Sequence, residues 1–177
     1  MRKRLLILSD LWGRRHSKWV ATYSAALDRD FDITYYDCCE LGQINIAEYQ
    51  EESLHKEFVA GGIDRAVEAL IGLEKNKVHI LAFSIGGTIA WRFGIETNRI
   101  NSLICMSSTR LRYETERPKG EIELYYGAED IFKPKNAWFD KMKLNYKIIK
   151  GKEHQMYIED REQLSIDVAE ALAKISR

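Results

Sequence analysis

The sequence predicts an α/β protein of three layers, α/β/α, built on a mostly parallel sheet of about six strands. Three observations predict it. Short apolar runs rich in branched residues recur along the chain, the pattern of strands covered on both faces. Most of these runs are separated by stretches whose apolar residues return every three or four positions, the period of a helix. Strands alternating in this way with helices make a doubly wound sheet. A length of 177 residues with 45% hydrophobic content fits one domain over residues 1–177 with a core of its own.

Taken in order, Leu5 to Leu8 is an apolar run stopped by Ser9-Asp10 and reads as a buried parallel strand. Trp19, Val20, Tyr23, Ala26 and Leu27 share one helical face, with Ser17 placed to cap the start. Phe31 to Tyr36 alternates in polarity, as a strand near a sheet edge does. Residues 47–60 read as a weakly amphipathic helix, which Gly61-Gly62 break from a better one carrying Ile63, Val67, Leu70, Ile71 and Leu73. Val78 to Phe83 is the next strand, with a helix from Thr88, and Ile100 to Met106 is another strand. The charged segment Thr109 to Gly120 leads to a strand over Glu121–Tyr126. Pro134 fits the first turn of a short helix holding Trp138, Phe139 and Met142. Tyr146 to Ile149 is the last strand, and a closing helix buries Leu164, Val168, Leu172 and Ile175.

Composition excludes several roles. Lys plus Arg and Asp plus Glu both number 27, so no global field favours nucleic acid or an anionic membrane. The basic opening Met1 to Arg4 precedes only four apolar residues and no small-residue cleavage site, which is not a signal peptide. No run approaches the roughly 20 apolar residues of a membrane span. Three cysteines, Cys38 and Cys39 adjacent and Cys105 in an apolar run, make no disulfide framework and lead us to expect a reduced, cytoplasmic protein. No spacing of Cys, His and carboxylates suggests a metal, and Gly86-Gly87 lacks the glycine pattern of a nucleotide loop, so no cofactor is expected.

The chemistry gathers around Ser84. The strand before it turns into a helix without a linker, which forces Ser84 into a strained backbone and needs small neighbours, here Ala82 and Gly86. Ligands of such sheets lie at the carboxyl ends of the strands. Ser9-Asp10, Ser84, Ser107-Ser108, Asp130 and Gly151 to His154 should therefore converge on one edge. A serine nucleophile needs a base, and the base an acid that fixes its tautomer. Ser84, His154 and Asp130 fill these roles, with Glu129 as the rival of Asp130. His79, inside a strand, reads as a buried structural histidine; His16 and His55 lack support comparable to His154, although His16 sits close to the first strand's loop and could reach the site.

Ala82-Phe83-Ser84-Ile85-Gly86 resembles the Gly-x-Ser-x-Gly nucleophile elbow of the α/β-hydrolases, with Ala82 in place of the first glycine. Leu124 to Asp130 resembles the acid-bearing strand and loop of that family, and Lys150 to His154 its histidine loop. The order Ser84, Asp130, His154 is the family's. The resemblance runs from Leu5 to the end. It implies a minimal α/β-hydrolase fold without the usual first two strands, and no cap domain, since only residues 109–120 stand where larger relatives insert one.

The resemblance also implies two oxyanion donors. One is the N–H of Ile85, opening the helix after the nucleophile. The other comes from the first strand's loop, where Asp10-Leu11-Trp12-Gly13 matches the family only in Trp-Gly, so Trp12 is the donor by position and Leu11 second. Leu11, Phe83 and Phe132 are expected to line the substrate site, with Trp12 and Trp138 also near strand ends. Arg14, Arg15, Arg110 and Arg112 flank that edge, as a solvated rim or as attractors of an anion. The implied function is a serine hydrolase that cleaves a small-molecule carboxylic ester or thioester through an acyl-enzyme. The alternative is a non-catalytic binding or regulatory protein on the same fold. The sequence leaves acyl length and oligomeric state open.

Overall fold

A computed structural model describes residues 2–175. Met1 of the basic opening and the side chain of Ile175, expected in the last helix's stripe, lie outside the described residues. Six strands form one sheet: β1 (Lys3–Leu8), β2 (Phe31–Tyr36), β3 (Val78–Phe83), β4 (Ile100–Met106), β5 (Glu121–Gly127) and β6 (Asn145–Ile149). Their order is β2-β1-β3-β4-β5-β6, and every neighbouring pair is parallel.

The helices are α1 (Val20–Leu27), α2 (Cys38–Leu41), α3 (Glu51–Glu57), α4 (Ile63–Leu73), α5 (Ile85–Thr97), α6 (Asn136–Met142), α7 (Met156–Glu159) and α8 (Arg161–Ile175). Alternate side chains of a strand point to opposite faces, and this divides the core in two. Leu6, Leu8, Ile80 and Ala82 pack beneath α2 to α6, whereas Leu5, Ile7, Leu81 and Phe83 pack against α1, α7 and α8. Every residue of β3 is buried, His79 included, as suits a mostly apolar run covered on both faces. The edge strands β2 and β6 are the more exposed.

Three local expectations are corrected and one, at Gly61-Gly62, holds. Ser17 does not cap α1: residues Gly13–His16 form a 3-10 turn, the Ser17 hydroxyl donates to the carbonyl of Arg14 (2.9 Å), and the cap position is Trp19. Helix does not begin at residue 47. The Asn45 side chain accepts from the Ala47 N–H (3.0 Å), a local bond that competes with helix, and α3 starts at Glu51. Gly61-Gly62 do separate two helices: Ala60 (ψ 19°) and Gly61 (φ 121°) are non-helical and kink the chain within Phe58–Gly62, ahead of α4, whose buried stripe is Ile63, Ala66, Val67 and Leu70, with Leu73 exposed. Pro134 stands before the cap Lys135, outside the first turn of α6. The short α2, absent from the sequence reading, is capped by the Asp37 carboxylate, which accepts from the N–H groups of Cys39 and Glu40.

Because all strands are parallel, their carboxyl ends share one edge, and the order reverses between β1 and β3, where ligands of such sheets bind. The loops bearing Asp10, Ser84, Asp130 and His154 leave that edge.

Candidate active site

Ser84 sits at φ 49°, ψ −115°, outside the regions an L-residue favours. The turn is held by the Ser84 N–H donating to Met106 O (2.8 Å) and the Gly87 N–H donating to Ser84 O (3.1 Å). It also requires close passage of α5 over β1: a Cβ on Gly86 would lie 2.4 Å from the carbonyl oxygen of Ser9. The hydroxyl is thereby presented at the tip of the turn.

Two further loops bring its partners. Gly127, ending β5, is pressed against the histidine loop so closely that a Cβ there would lie 2.2 Å from Lys152 O. The Glu129 N–H donates to the same carbonyl (2.8 Å). Asp130 then points inward and Glu129 outward. His154 Nδ1 lies 2.8 Å from Asp130 Oδ2, and its Nε2 lies 3.0 Å from Ser84 Oγ. Burial pushes the Asp130 carboxyl up, but the His154 hydrogen bond and charge, the Phe132 N–H and Lys133 outweigh it and leave it below its ordinary value. Asp130 is thus ionised at neutral pH and only accepts hydrogen bonds, which puts the histidine proton on Nδ1 and leaves Nε2 to accept from Ser84.

A cleft of about 540 Å³ opens over Ser84, with Leu11, Ile85, Phe132 and His154 in its walls. Ile85 begins α5, so its N–H has no partner within the helix and faces the site. Trp12, the expected second donor, is corrected: its N–H already donates to Asp10 Oδ1 (3.0 Å), and its ring packs on Tyr49 and His16. An acid two residues earlier closes this small turn. Leu11 is the loop residue that reaches the cleft. Two buried thiols hold it there, Cys38 Sγ donating to Ser9 O (3.1 Å) and Cys39 Sγ to Leu11 O (3.2 Å). Burial pushes the Cys39 thiol up to about 12, so it stays a donor.

Phe83 is also corrected. It is fully buried on the opposite face of the sheet, edge-on to Trp19 and Tyr23, because it is adjacent to Ala82 and adjacent strand residues face opposite ways. Trp138 packs on Trp91 and donates to Glu114 O (2.9 Å), away from the cleft. His16 stacks on Tyr49 outside it, and Arg14 and Arg15 lie over Tyr35 and Tyr49. His79 is buried, bonded to Ser102 Oγ (2.7 Å), with burial first and Lys3 second lowering its pKa. His55, Thr109, Arg110, Arg112 and Gln155 do line the cleft; the sequence carried no signal for His55 or Gln155.

No family model and no curated protein sequence matches the chain. Its structure resembles solved structures closely over nearly its whole length. Alpha/beta hydrolase domain-containing protein 10 from mouse superposes with a TM-score of 0.69, covering 98% of this chain and 90% of its own at 10% identity. The chain has an α/β-hydrolase fold. Est1E from Butyrivibrio proteoclasticus, solved with ferulic acid bound, gives a TM-score of 0.66 at 12% identity, covering 99% and 91%. Carboxylesterase CesB from Bacillus subtilis gives 0.64 at 13% identity, covering 94% and 82%. Within this α/β-hydrolase fold the sheet has six strands, matching the minimal three-layer form, and no helix among the described residues is long and apolar enough to cross a membrane.

Asp10 sits in the turn that follows β1. It is almost fully buried, accepts from Trp12 N–H and from Tyr157 Oη (3.1 Å), and burial pushes its carboxyl up to about 6. A raised folded pKa means the favourable contribution is complete below the unfolded value near 3.8 and is lost as pH rises through about 6. Asp10→Asn keeps an oxygen for Trp12 and removes the buried charge. Its stability relative to wild type should therefore improve by roughly 1–2 kcal/mol between pH 4.5 and pH 8. Urea unfolding at the two pH values checks this, and a pH-independent difference would contradict a buried ionised Asp10.

Proposed function

We propose that the protein is a serine hydrolase that cleaves a small-molecule carboxylic ester or thioester through an acyl-enzyme. The observation that carries this reading is the relay Ser84–His154–Asp130, with contacts of 3.0 and 2.8 Å on a strained turn. Ser84 Oγ attacks the carbonyl carbon as its proton passes to His154 Nε2, and Asp130 steadies the cationic ring. The oxyanion takes hydrogen bonds from the N–H groups of Ile85 and Leu11. Collapse of the intermediate breaks the bond to the alcohol or thiol, which leaves with the proton from His154. Water, deprotonated by His154, then attacks the acyl-serine, releases the acid and restores Ser84.

The chain works as one domain with no cap over the cleft, since a single short 3-10 turn, Thr109–Tyr113, occupies most of the first half of the segment between β4 and β5. We place it in the cytoplasm, where its three free buried thiols stay reduced. Short-chain p-nitrophenyl esters should turn over in simple saturating fashion at concentrations below their solubility limit. A sharp rise only above that limit would argue for a lid. One observation favours a second reading, a binding protein on this fold: the Trp12 N–H is already taken by Asp10. Absence of turnover across graded p-nitrophenyl esters and acyl thioesters would favour it.

A further inference from the structure

Two arginines that the proposed chemistry does not use face the same cleft. Arg110 and Arg112 belong to the 3-10 turn Thr109–Tyr113 after β4 and line the cleft with Ser84 and His154. Arg112 is fixed by neutral partners: it donates to Thr109 O (2.8 Å), Phe132 O (3.3 Å) and Tyr113 Oη (2.8 Å), with its guanidinium 4.3 Å from the Tyr113 ring centre. Arg110 lies 5.2 Å from the same ring centre, and its buried Nε has no hydrogen-bond partner among the described residues.

Neither arginine meets a carboxylate. Glu114, the nearest acid in sequence, is bonded to Arg92 (2.9 Å). Glu51 and Glu52, across the cleft on α3, are exposed at its rim, and no ion pair joins them to either arginine among the described residues. Two other arginines are paired, Arg14 with Glu40 (3.8 Å) and Arg92 with Asp64 (3.1 Å) as well as Glu114, while Arg15 lies over the Tyr49 ring. Burial, with Arg112 and Arg92 adding to it, lowers the Arg110 guanidinium from its ordinary value and outweighs the opposing influence of Tyr113 and Glu114. A half-buried cation without a counter-ion is costly, and an anion entering the cleft would offset that cost through charge-assisted hydrogen bonds. The planar guanidinium fork suits a carboxylate in particular.

We propose that the cleft takes an ester bearing a carboxylate, held by Arg110 and Arg112 while the reacting carbonyl lies at Ser84. This rests on the hydrolase reading above. Both arginines line the cleft that contains the nucleophile, so one small substrate can meet them together. The carboxylate can belong to the acyl chain or to the leaving alcohol, and two pairs of esters separate these. The acyl pair is mono-p-nitrophenyl adipate against p-nitrophenyl hexanoate. The leaving-group pair is 3-carboxyphenyl acetate against 3-carbamoylphenyl acetate.

In one of the two pairs, the ratio of kcat/KM for the anionic over the neutral ester should fall by about tenfold or more in Arg110→Gln, the scale of one lost charge-assisted hydrogen bond. Arg110→Lys should retain part of the preference, and Arg112→Gln should lower the same ratio, which guards against a single variant that folds poorly. Turnover of the neutral esters with ratios unchanged by all three variants overturns the proposal and leaves the hydrolase reading intact. If no ester turns over, that reading fails, and calorimetric titration of adipate into the wild-type protein decides the anion site separately. Binding weakened about tenfold by Arg110→Gln supports it; no binding, or binding unaffected by Arg110→Gln, overturns it.

Discussion

A fluorophosphonate should label the folded protein at Ser84, and Ser84→Ala should abolish both that labelling and ester turnover. Phosphonylation needs an exposed nucleophile and a base in contact with it, and the Ser84 hydroxyl is 3.0 Å from His154 Nε2 at the floor of an open cleft. Removing the oxygen leaves only oxyanion stabilisation and binding. The expected loss in kcat is on the order of 10⁶, as in a well-studied triad whose serine was deleted. His154→Ala should suppress labelling nearly as strongly, because the hydroxyl then keeps its proton. The variant's own stability should be close to wild type, since alanine removes one half-buried hydroxyl and leaves the turn's backbone bonds in place. Intact-protein mass spectrometry after labelling, with circular dichroism to establish folding, is the measurement. If folded wild-type protein resists the reagent from about pH 6 to 9, the nucleophile assignment fails.

Asp130→Asn carries the second large effect. The ionised Asp130 accepts from His154 Nδ1, and this holds Nε2 free to take the serine proton. An asparagine amide can instead donate to Nδ1, which moves the ring proton to Nε2 and turns the base into a donor facing Ser84. Turnover should fall by about four orders of magnitude, the size of the corresponding change in a serine protease. Glu129→Gln is the control. Its side chain is exposed and forms no bond to His154 among the described residues, so kcat should change by no more than about twofold, the usual reach of a surface substitution. Equal losses in the two variants would mean that the neighbouring loop, rather than the Asp130 carboxylate, matters.

Much of this arrangement was legible in the chain. The runs of apolar residues placed β3, β4 and β5 within a residue of their observed limits, because strands covered on both faces are mostly apolar. The convergence of Ser84, Asp130 and His154 followed from a parallel sheet, which sends every strand's carboxyl end to one edge. Helix limits were less legible. Whether residues 47–50 join α3, or Ser17 caps α1, depends on competing local bonds such as Asn45 to Ala47 and Ser17 to Arg14, which leave no periodic trace.

By itself, then, the sequence determined the alternation of strand and helix, the sharp turn at Ser84 and the order of its two partners, since each depends on local period and turn chemistry. Tertiary structure alone decided which side chains share the cleft. Phe83 is one residue from the nucleophile yet faces away, because the pleat sends it to the other side of the sheet. Trp12 gives its N–H to Asp10 and leaves Leu11 at the cleft, held by Cys39 of α2, 28 positions away in sequence. Arg110 and Arg112 enter without an ion pair among the described residues, while Glu114 pairs with Arg92 on α5. These outcomes rest on contacts between segments far apart in the chain, and a contact of that kind leaves no mark on the residues within either segment.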